Sequence, residues 1–331
     1  RAEGIRYVVT EAHSILFGSP RPKYGIFAPV ICPSGLAAFG RDLSTARSVW
    51  SATEGYPSHP DYREFHRDLG YELDPEYLRP ALGGDDSRAP TGIKYYRITG
   101  PSEDKQPYDP DRALDQAARH AEHFIRSRCR QIQRLRRLMD RAPLIVSPYD
   151  AELFGHWWFE GPDWLELVFR KAPAAKDTFE LIAPSDYFTR YPSNQPLQPE
   201  WSSWGAGGYA GTWLSGSNDW IYRHLHQMAE RMVETARRFP QPDPLRHRAL
   251  NQMARELLLA QASDWAFILK AQTHVAYAYR RLSDHLAHFT RLYETVLGGE
   301  INEGWLANLE ADTALFPSLD YRIYAAPNRG A

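Results

Sequence analysis

Cysteine is nearly absent: Cys32 and Cys129 are the only two in 331 residues. Two thiols cannot build a disulfide framework or a cysteine-based zinc site, and they favour a reducing, cytosolic compartment. Long apolar runs are missing as well, and none reaches the ~18 residues of a membrane span. Neither charge sign dominates. The net charge of −2 supplies no field to draw in nucleic acid or an anionic membrane. Neither a signal-peptide pattern nor an internal repeat is visible. With 43% hydrophobic and 24% charged residues, the composition is that of an ordinary globular protein of one large or two average domains.

Aromatic residues are plentiful. There are 10 Trp and 19 Tyr, and eight of the Trp lie between 157 and 265. A core alone does not need so many, because each buried indole N–H wants an acceptor. An aromatic-lined groove would house the excess.

Residues 1–190 alternate strand-like and helical patterns. Ile5–Val9, Leu144–Val146 and Phe179–Ile182 read as strands. Asp111–Arg141 reads as a long helix, with Asp109 as its cap and Pro110 opening it. Residues 18–108 are rich in Gly, Pro and Tyr, as functional loops are, and 83–90 reads as an exposed turn. From 191 the chain is Pro-, Ser-, Gly- and Trp-rich. Helical patterns then follow over about 218–239, 245–269 and 275–297, ended by Gly298-Gly299. The expected fold is therefore α/β over residues 1–190, then an aromatic loop and helical bundle over 191–331.

Several signals carry little. His120 and His123 have metal-ligand spacing on a helix but no third ligand, so a satisfied pair is the better reading. Gly205-Ala206-Gly207-Gly208 follows no strand and is not a dinucleotide fingerprint. Arg126, Arg128, Arg130, Arg134, Arg136, Arg137 and Arg141 fit a solvated helix face.

The richest stretch is Tyr149-Asp150-Ala151-Glu152-Leu153-Phe154-Gly155-His156-Trp157-Trp158. It emerges from the end of an expected strand, where α/β active sites collect. A carboxyl group in an apolar, tryptophan-lined place keeps its proton and can act as a general acid. Flat rings cover the apolar faces of sugars. Asp150 is the leading candidate, against a plain turn-capping role. Glu152, two residues on, points elsewhere in an extended segment. Asp264, in Gln261–Phe267, reads as a carboxylate inside an apolar helix, which must be paired or face a cavity.

These segments resemble the 1,4-α-glucan branching enzymes of glycoside hydrolase family 57. Residues 149–158 resemble the family's region that carries the catalytic acid/base, and Gln261–Phe267 resembles its fifth conserved region. Phe39-Gly40-Arg41-Asp42, Gly55-Tyr56-Pro57, Tyr62-Arg63-Glu64-Phe65, Gly92–Thr99, Ser202–Gly205 and Asn218–Arg223 extend the likeness over nearly the whole chain. The resemblance implies an incomplete (β/α)7 barrel followed by a helical domain. It also implies retaining transfer that cuts α-1,4 linkages and forms α-1,6 branches on amylose, glycogen or maltooligosaccharides. Asp150 would be the acid/base. Trp50, Trp204 and Trp213 would be sugar platforms, and Tyr24 a mobile tyrosine over the site. His13, His156 and Asp264 would touch sugar or brace Asp150. No metal or organic cofactor is needed.

A hydrolase or 4-α-glucanotransferase of the same family, or a non-catalytic glucan-binding piece, are the alternatives. The family's glutamate nucleophile and N-terminal histidine motif find no match here. With a strand pattern already at Ile5, we expect the chain to begin partway through a larger protein.

Overall fold

Tyr7-Val8-Val9-Thr10 is β-branched and aromatic, and it forms strand β1 (Tyr7–Thr10). The computed structural model describes residues 4–51, 53–80 and 88–325, so part of the turn expected at 83–90 lies outside the described residues. Helix α1 (Ala12–Leu16) follows, then β2 (Val30–Ile31) and β3 (Ala37–Gly40). The three strands form one sheet with β3 central. It runs parallel to β1, with Tyr7 opposite Ala37 and Thr10 opposite Gly40, and antiparallel to β2. Ala12, Ile15, Ile26, Val30, Ala38 and Leu197 close a small core over it.

Helix α2 (Leu43–Trp50) is capped by Asp42, whose Oδ1 accepts the Thr45 N–H at 2.8 Å. Two short helices, α3 (Leu69–Glu72) and α4 (Pro75–Leu78), lie in the loop region. Helix α5 (Pro110–Leu135) starts where expected. Asp109 accepts from Asp111 N–H and Arg112 N–H, both at 3.1 Å, and Pro110 takes the first position. Ala113, Ala117 and Ala121 repeat every four residues. Their small side chains and Phe124 pack with Trp158, Trp164 and Val168, the last two from helix α6 (Gly161–Lys171). A seven-residue helix, α7 (Pro184–Arg190), closes this part.

The strands expected at Leu144–Val146 and Phe179–Ile182 are not paired into the sheet. Apolar sequence makes a segment willing to extend, but a strand exists only where a neighbour supplies ladder partners. The 144–146 segment has two such bonds. Leu144 N–H donates to Phe27 O, and Asp42 N–H donates to Val146 O, both at 2.8 Å.

The chain divides into two compact units, 1–202 and 203–331. The sequence places that division near 190. Residues 191–202 instead bond back to the first unit. Ile31 N–H donates to Gln195 O and Leu197 N–H to Ile31 O, both at 2.9 Å, and Glu200 N–H reaches Ser14 O at 2.8 Å.

The second unit consists of helices α8 (Trp220–Arg238), α9 (Pro244–Ala260), α10 (Ser263–Ala271), α11 (Val275–Gly298) and α12 (Glu303–Asp312). Met228, Met232, Leu250, Met253, Leu257, Leu282, Phe289 and Val296 fill its core. The single helix expected over 245–269 is two, broken at Gln261-Ala262, where the Trp265 indole N–H donates to Leu259 O at 2.8 Å. No described helix is long and apolar enough to cross a membrane.

Candidate functional site

In the first unit, the segment ending at Asp150 is held from below. Asp42, buried at the end of β3, donates its N–H to Val146 O and accepts Gln131 Nε2–H from α5 at 2.8 Å. Arg128 of α5 lies 3.9 Å from the same carboxylate and donates to Ser44 Oγ. The Tyr149 hydroxyl donates to Thr45 O at 3.3 Å. Thus α5, α2 and β3 together fix the residue just before Asp150.

Asp150 stands at the cap position of a single 3-10 turn, Ala151–Leu153, yet its side chain caps nothing. It is exposed. Burial of part of the group, reinforced by the charge of Glu152, raises its proton affinity, while Arg41 pulls the other way. Glu152 is also exposed, and Leu153 anchors the turn in the core. Gly155, at φ 85°, reverses the chain, and its N–H donates to Trp158 O at 2.8 Å. The two adjacent tryptophans therefore part ways. Trp158 is 1% exposed against Trp164 and Tyr62, whereas Trp157 is 50% exposed. Trp157 leans on Phe65 at 4.2 Å between centroids, and His156 meets the same ring edge-on at 5.1 Å.

Three neighbouring chain ends come together here. Glu11 follows β1, Arg41 follows β3, and Asp150 ends the segment whose Val146 O accepts the Asp42 N–H. Arg41 N–H donates to Thr10 O at 3.0 Å, and its guanidinium pairs with the buried Glu11 carboxylate. His13 lies on α1, two residues past Glu11, and Trp50 is the last, exposed residue of α2. Tyr24 is placed elsewhere. Its hydroxyl bonds Asp140, beside Lys23 and Arg141, at the opposite end of the 140–150 segment from Asp150. His120 and His123 are satisfied, by the Tyr62 and Tyr56 hydroxyls respectively, each at 2.8 Å. Burial lowers His120 to about 4. No group of three or more His, Cys, Asp or Glu suited to a metal occurs among the described residues.

The second unit holds its own aromatic hollow of about 390 Å³, lined by Trp213, Tyr222, Leu225, Gln261, Ser263 and Trp265 among others. Fully buried Asn218 fixes its rim. Its Nδ2 donates to Thr212 O and to Ala266 O, both at 2.9 Å. The Tyr222 hydroxyl bonds Trp213 O. Gly205, at φ 84°, is where a Cβ would collide with Thr212 and the Trp213 ring, so the Gly-rich stretch serves close packing. Trp204 is 39% exposed. Asp264 is not enclosed within an apolar helix as expected. It sits exposed in the first turn of α10, where a carboxylate favours the helix N-terminus and needs no partner. Its neighbours Ser263 and Trp265, rather than Asp264, line the hollow.

The C-terminal domain described as "1,4-alpha-glucan branching enzyme, C-terminal" matches residues 224–324. A 1,4-alpha-glucan branching enzyme from Thermococcus kodakarensis is 33% identical over 308 residues, covering 87% of this chain and 42% of the relative. A probable branching enzyme from Mycobacterium tuberculosis is 34% identical, covering 87% and 53%. The GH57-type branching enzyme of Pyrococcus horikoshii superposes with a TM-score of 0.85 at 30% identity, over 99% of this chain and 58% of that one. Over nearly its whole length the chain is similar to branching enzymes of glycoside hydrolase family 57. An alpha-amylase from Thermotoga maritima superposes with a TM-score of 0.88 at 41% identity, over 98% of this chain and 62% of that one. The chain spans about half the length of the curated relatives it matches.

To the individual site residues named from sequence the geometry adds Glu11, and it singles out Arg41, Phe65, Trp157, Tyr222 and Trp265 within the segments already noted. The Arg41-Asp42 pair follows an apolar run and could have been flagged as a strand end. Glu11 offers no such signal until β1 and β3 are known to be neighbours.

Proposed function

We propose that the chain supplies the proton-handling part of a retaining 1,4-α-glucan branching enzyme, with Asp150 as its acid/base. The observation that carries this is the Asp150 carboxyl. It is uncapped, exposed and raised in proton affinity at the end of a braced segment, in a loop that also carries the exposed Trp157. As an acid it gives its proton to the glycosidic oxygen while a carboxylate nucleophile takes the sugar. As a base it then accepts the proton of an incoming glucan 6-hydroxyl. The family's nucleophile has no counterpart by pattern in these residues. The names of the relatives support an α-glucan substrate.

The same reading makes the first unit part of a (β/α)7 barrel. The extended segments 144–146 and 179–182, with exposed Phe169 and Leu181 nearby, fit strands awaiting ladder partners. Trp213 and Trp265, with Trp204, would be sugar platforms in the second unit, and Trp50 a separate one in the first. Two unpaired thiols fit a cytoplasmic enzyme.

Transfer requires that water be kept from the glycosyl intermediate. The test is incubation of the full protein with amylose, counting α-1,6 linkages against new reducing ends. Branch points in excess support the proposal. Reducing ends without branches make it a hydrolase, the second reading, which its likeness to the Thermotoga alpha-amylase favours.

A further inference from the structure

The strand ends carry a relationship that the acid/base assignment alone does not contain. β1 and β3 are parallel in register, so the residues that follow them, Glu11 and Arg41, leave the sheet side by side. The Arg41 N–H bonds Thr10 O, and its side chain pairs with Glu11. The next residue, Asp42, bonds Val146 O and so fixes the segment that ends at Asp150. Arg41 is thus paired to one carboxylate, Glu11, adjoins the residue that ties down the Asp150 segment, and its charge also acts on Asp150.

We propose that Glu11 and Arg41 form a positioning pair that sets the protonation of Asp150, Arg41 favouring the carboxylate and Glu11 limiting that pull. This rests on the acid/base reading of Asp150. A general acid needs its proton near neutral pH, yet it must release it and recover it in one turnover. An unshielded arginine beside it would strip the proton early, whereas no arginine at all would leave it too weak an acid. A buried carboxylate paired to the same guanidinium tempers the field. Glu11 is only 6% exposed, so solvent screens it poorly. Of the other charged or titratable groups, Glu152 acts on Asp150 directly, Asp42 and Arg128 turn to the core, His156 of the same loop packs on Phe65, and His13 lies on α1 two residues past Glu11.

The test compares Glu11→Gln and Arg41→Met in the full protein. Two readouts serve: the pH profile of kcat/KM on maltooligosaccharide, and direct ¹³C-carboxyl NMR titration of Asp150. Removing the Glu11 charge should move the alkaline limb and the Asp150 titration to lower pH. Removing the Arg41 charge should move both to higher pH. Each displacement should be roughly half a pH unit or more. Arg41→Lys should return the titration close to its native position. A purely structural pair would weaken both variants without opposite displacements. Shifts in the same direction, or an unmoved Asp150 titration in folded variants, would overturn the inference. Because NMR follows Asp150 without turnover, the pair is tested even if Asp150→Asn proves fully active and the acid/base reading fails.

Discussion

Glu256 of α9 and His285 of α11 meet at 2.7 Å in the middle of the second unit, and both side chains are enclosed. A second histidine, His288, stands one turn on with its Nδ1 3.6 Å from the same carboxylate, an ion-pair contact rather than a hydrogen bond. Gln252 donates to Glu256 and also reaches Thr313 at the end of α12. One carboxylate therefore ties three helices.

That geometry gives a pH dependence with a definite sign. Burial pushes the Glu256 carboxyl up, but the His285 and His288 rings overcome it and hold it at about 2. Its contribution is complete above the ordinary 4.5 and drains as pH falls toward 2. The Glu256 carboxylate raises His288, so that histidine contributes fully below its ordinary 6.5, and the contribution is lost as pH climbs through the raised value. His288→Gln should cost about 0.5–1 kcal/mol at pH 6, allowing for a side chain one-third open to solvent, and less at pH 9. Thermal unfolding at the two pH values measures this. Equal losses would contradict it.

Asp68 anchors the first unit's long loop. It accepts from Gly70 N–H, from the N–H and hydroxyl of Thr91, and from Gly92 N–H, and it pairs with Lys94 at 3.2 Å. Burial pushes its carboxyl up, but these donors win and hold it well below the carboxylate range, so its contribution fades only in strong acid. Asp68→Ala leaves several buried donors without an acceptor and should cost about 2–4 kcal/mol. The loss should show as faster amide exchange at residues 91–94, with α5 unaffected.

Asp150→Asn keeps the shape and removes the acid. Activity of the full protein should fall by at least about 100-fold while maltooligosaccharide binding persists. Undiminished turnover, with binding intact, would favour a glucan-binding role for the chain.

Trp213→Ala opens one wall of the second unit's hollow. If that hollow holds sugar, affinity for maltooligosaccharides should drop roughly tenfold, an aromatic contact's worth of about 1.4 kcal/mol. Calorimetric titration reads it directly. Thr290→Ala, on α11 away from the hollow, serves as the control that leaves affinity alone.

The long helices α5, α8 and α11 were legible because their apolar residues recur at helical spacing and their ends carry Asp109-Pro110 or Gly298-Gly299. β3 was not. Ala37-Ala38-Phe39-Gly40 has no β-branched residue, and only its place between β1 and β2 makes it a strand. Leu144–Val146 failed in the opposite way, since its composition suits a strand that its neighbours do not complete. The α9–α10 break has neither Gly nor Pro to announce it. It exists because Ala262 takes an extended conformation and Trp265 reaches back across the gap. At the site, Asp150 and His156 were visible as a motif. The pairing of Glu11 with Arg41 depends on residues 30 apart and was invisible until strand register was known.

Asp42 joins Gln131 and Arg128 on one side to Val146 on the other. A surface helix is therefore one side chain and one backbone bond away from the segment that aims Asp150. On the acid/base reading of Asp150, substitutions that loosen the far wall of α5 near these residues should lower activity before they register as unfolding. For a search aimed at altering turnover in this chain, the back of that helix is as informative as the rim of the site.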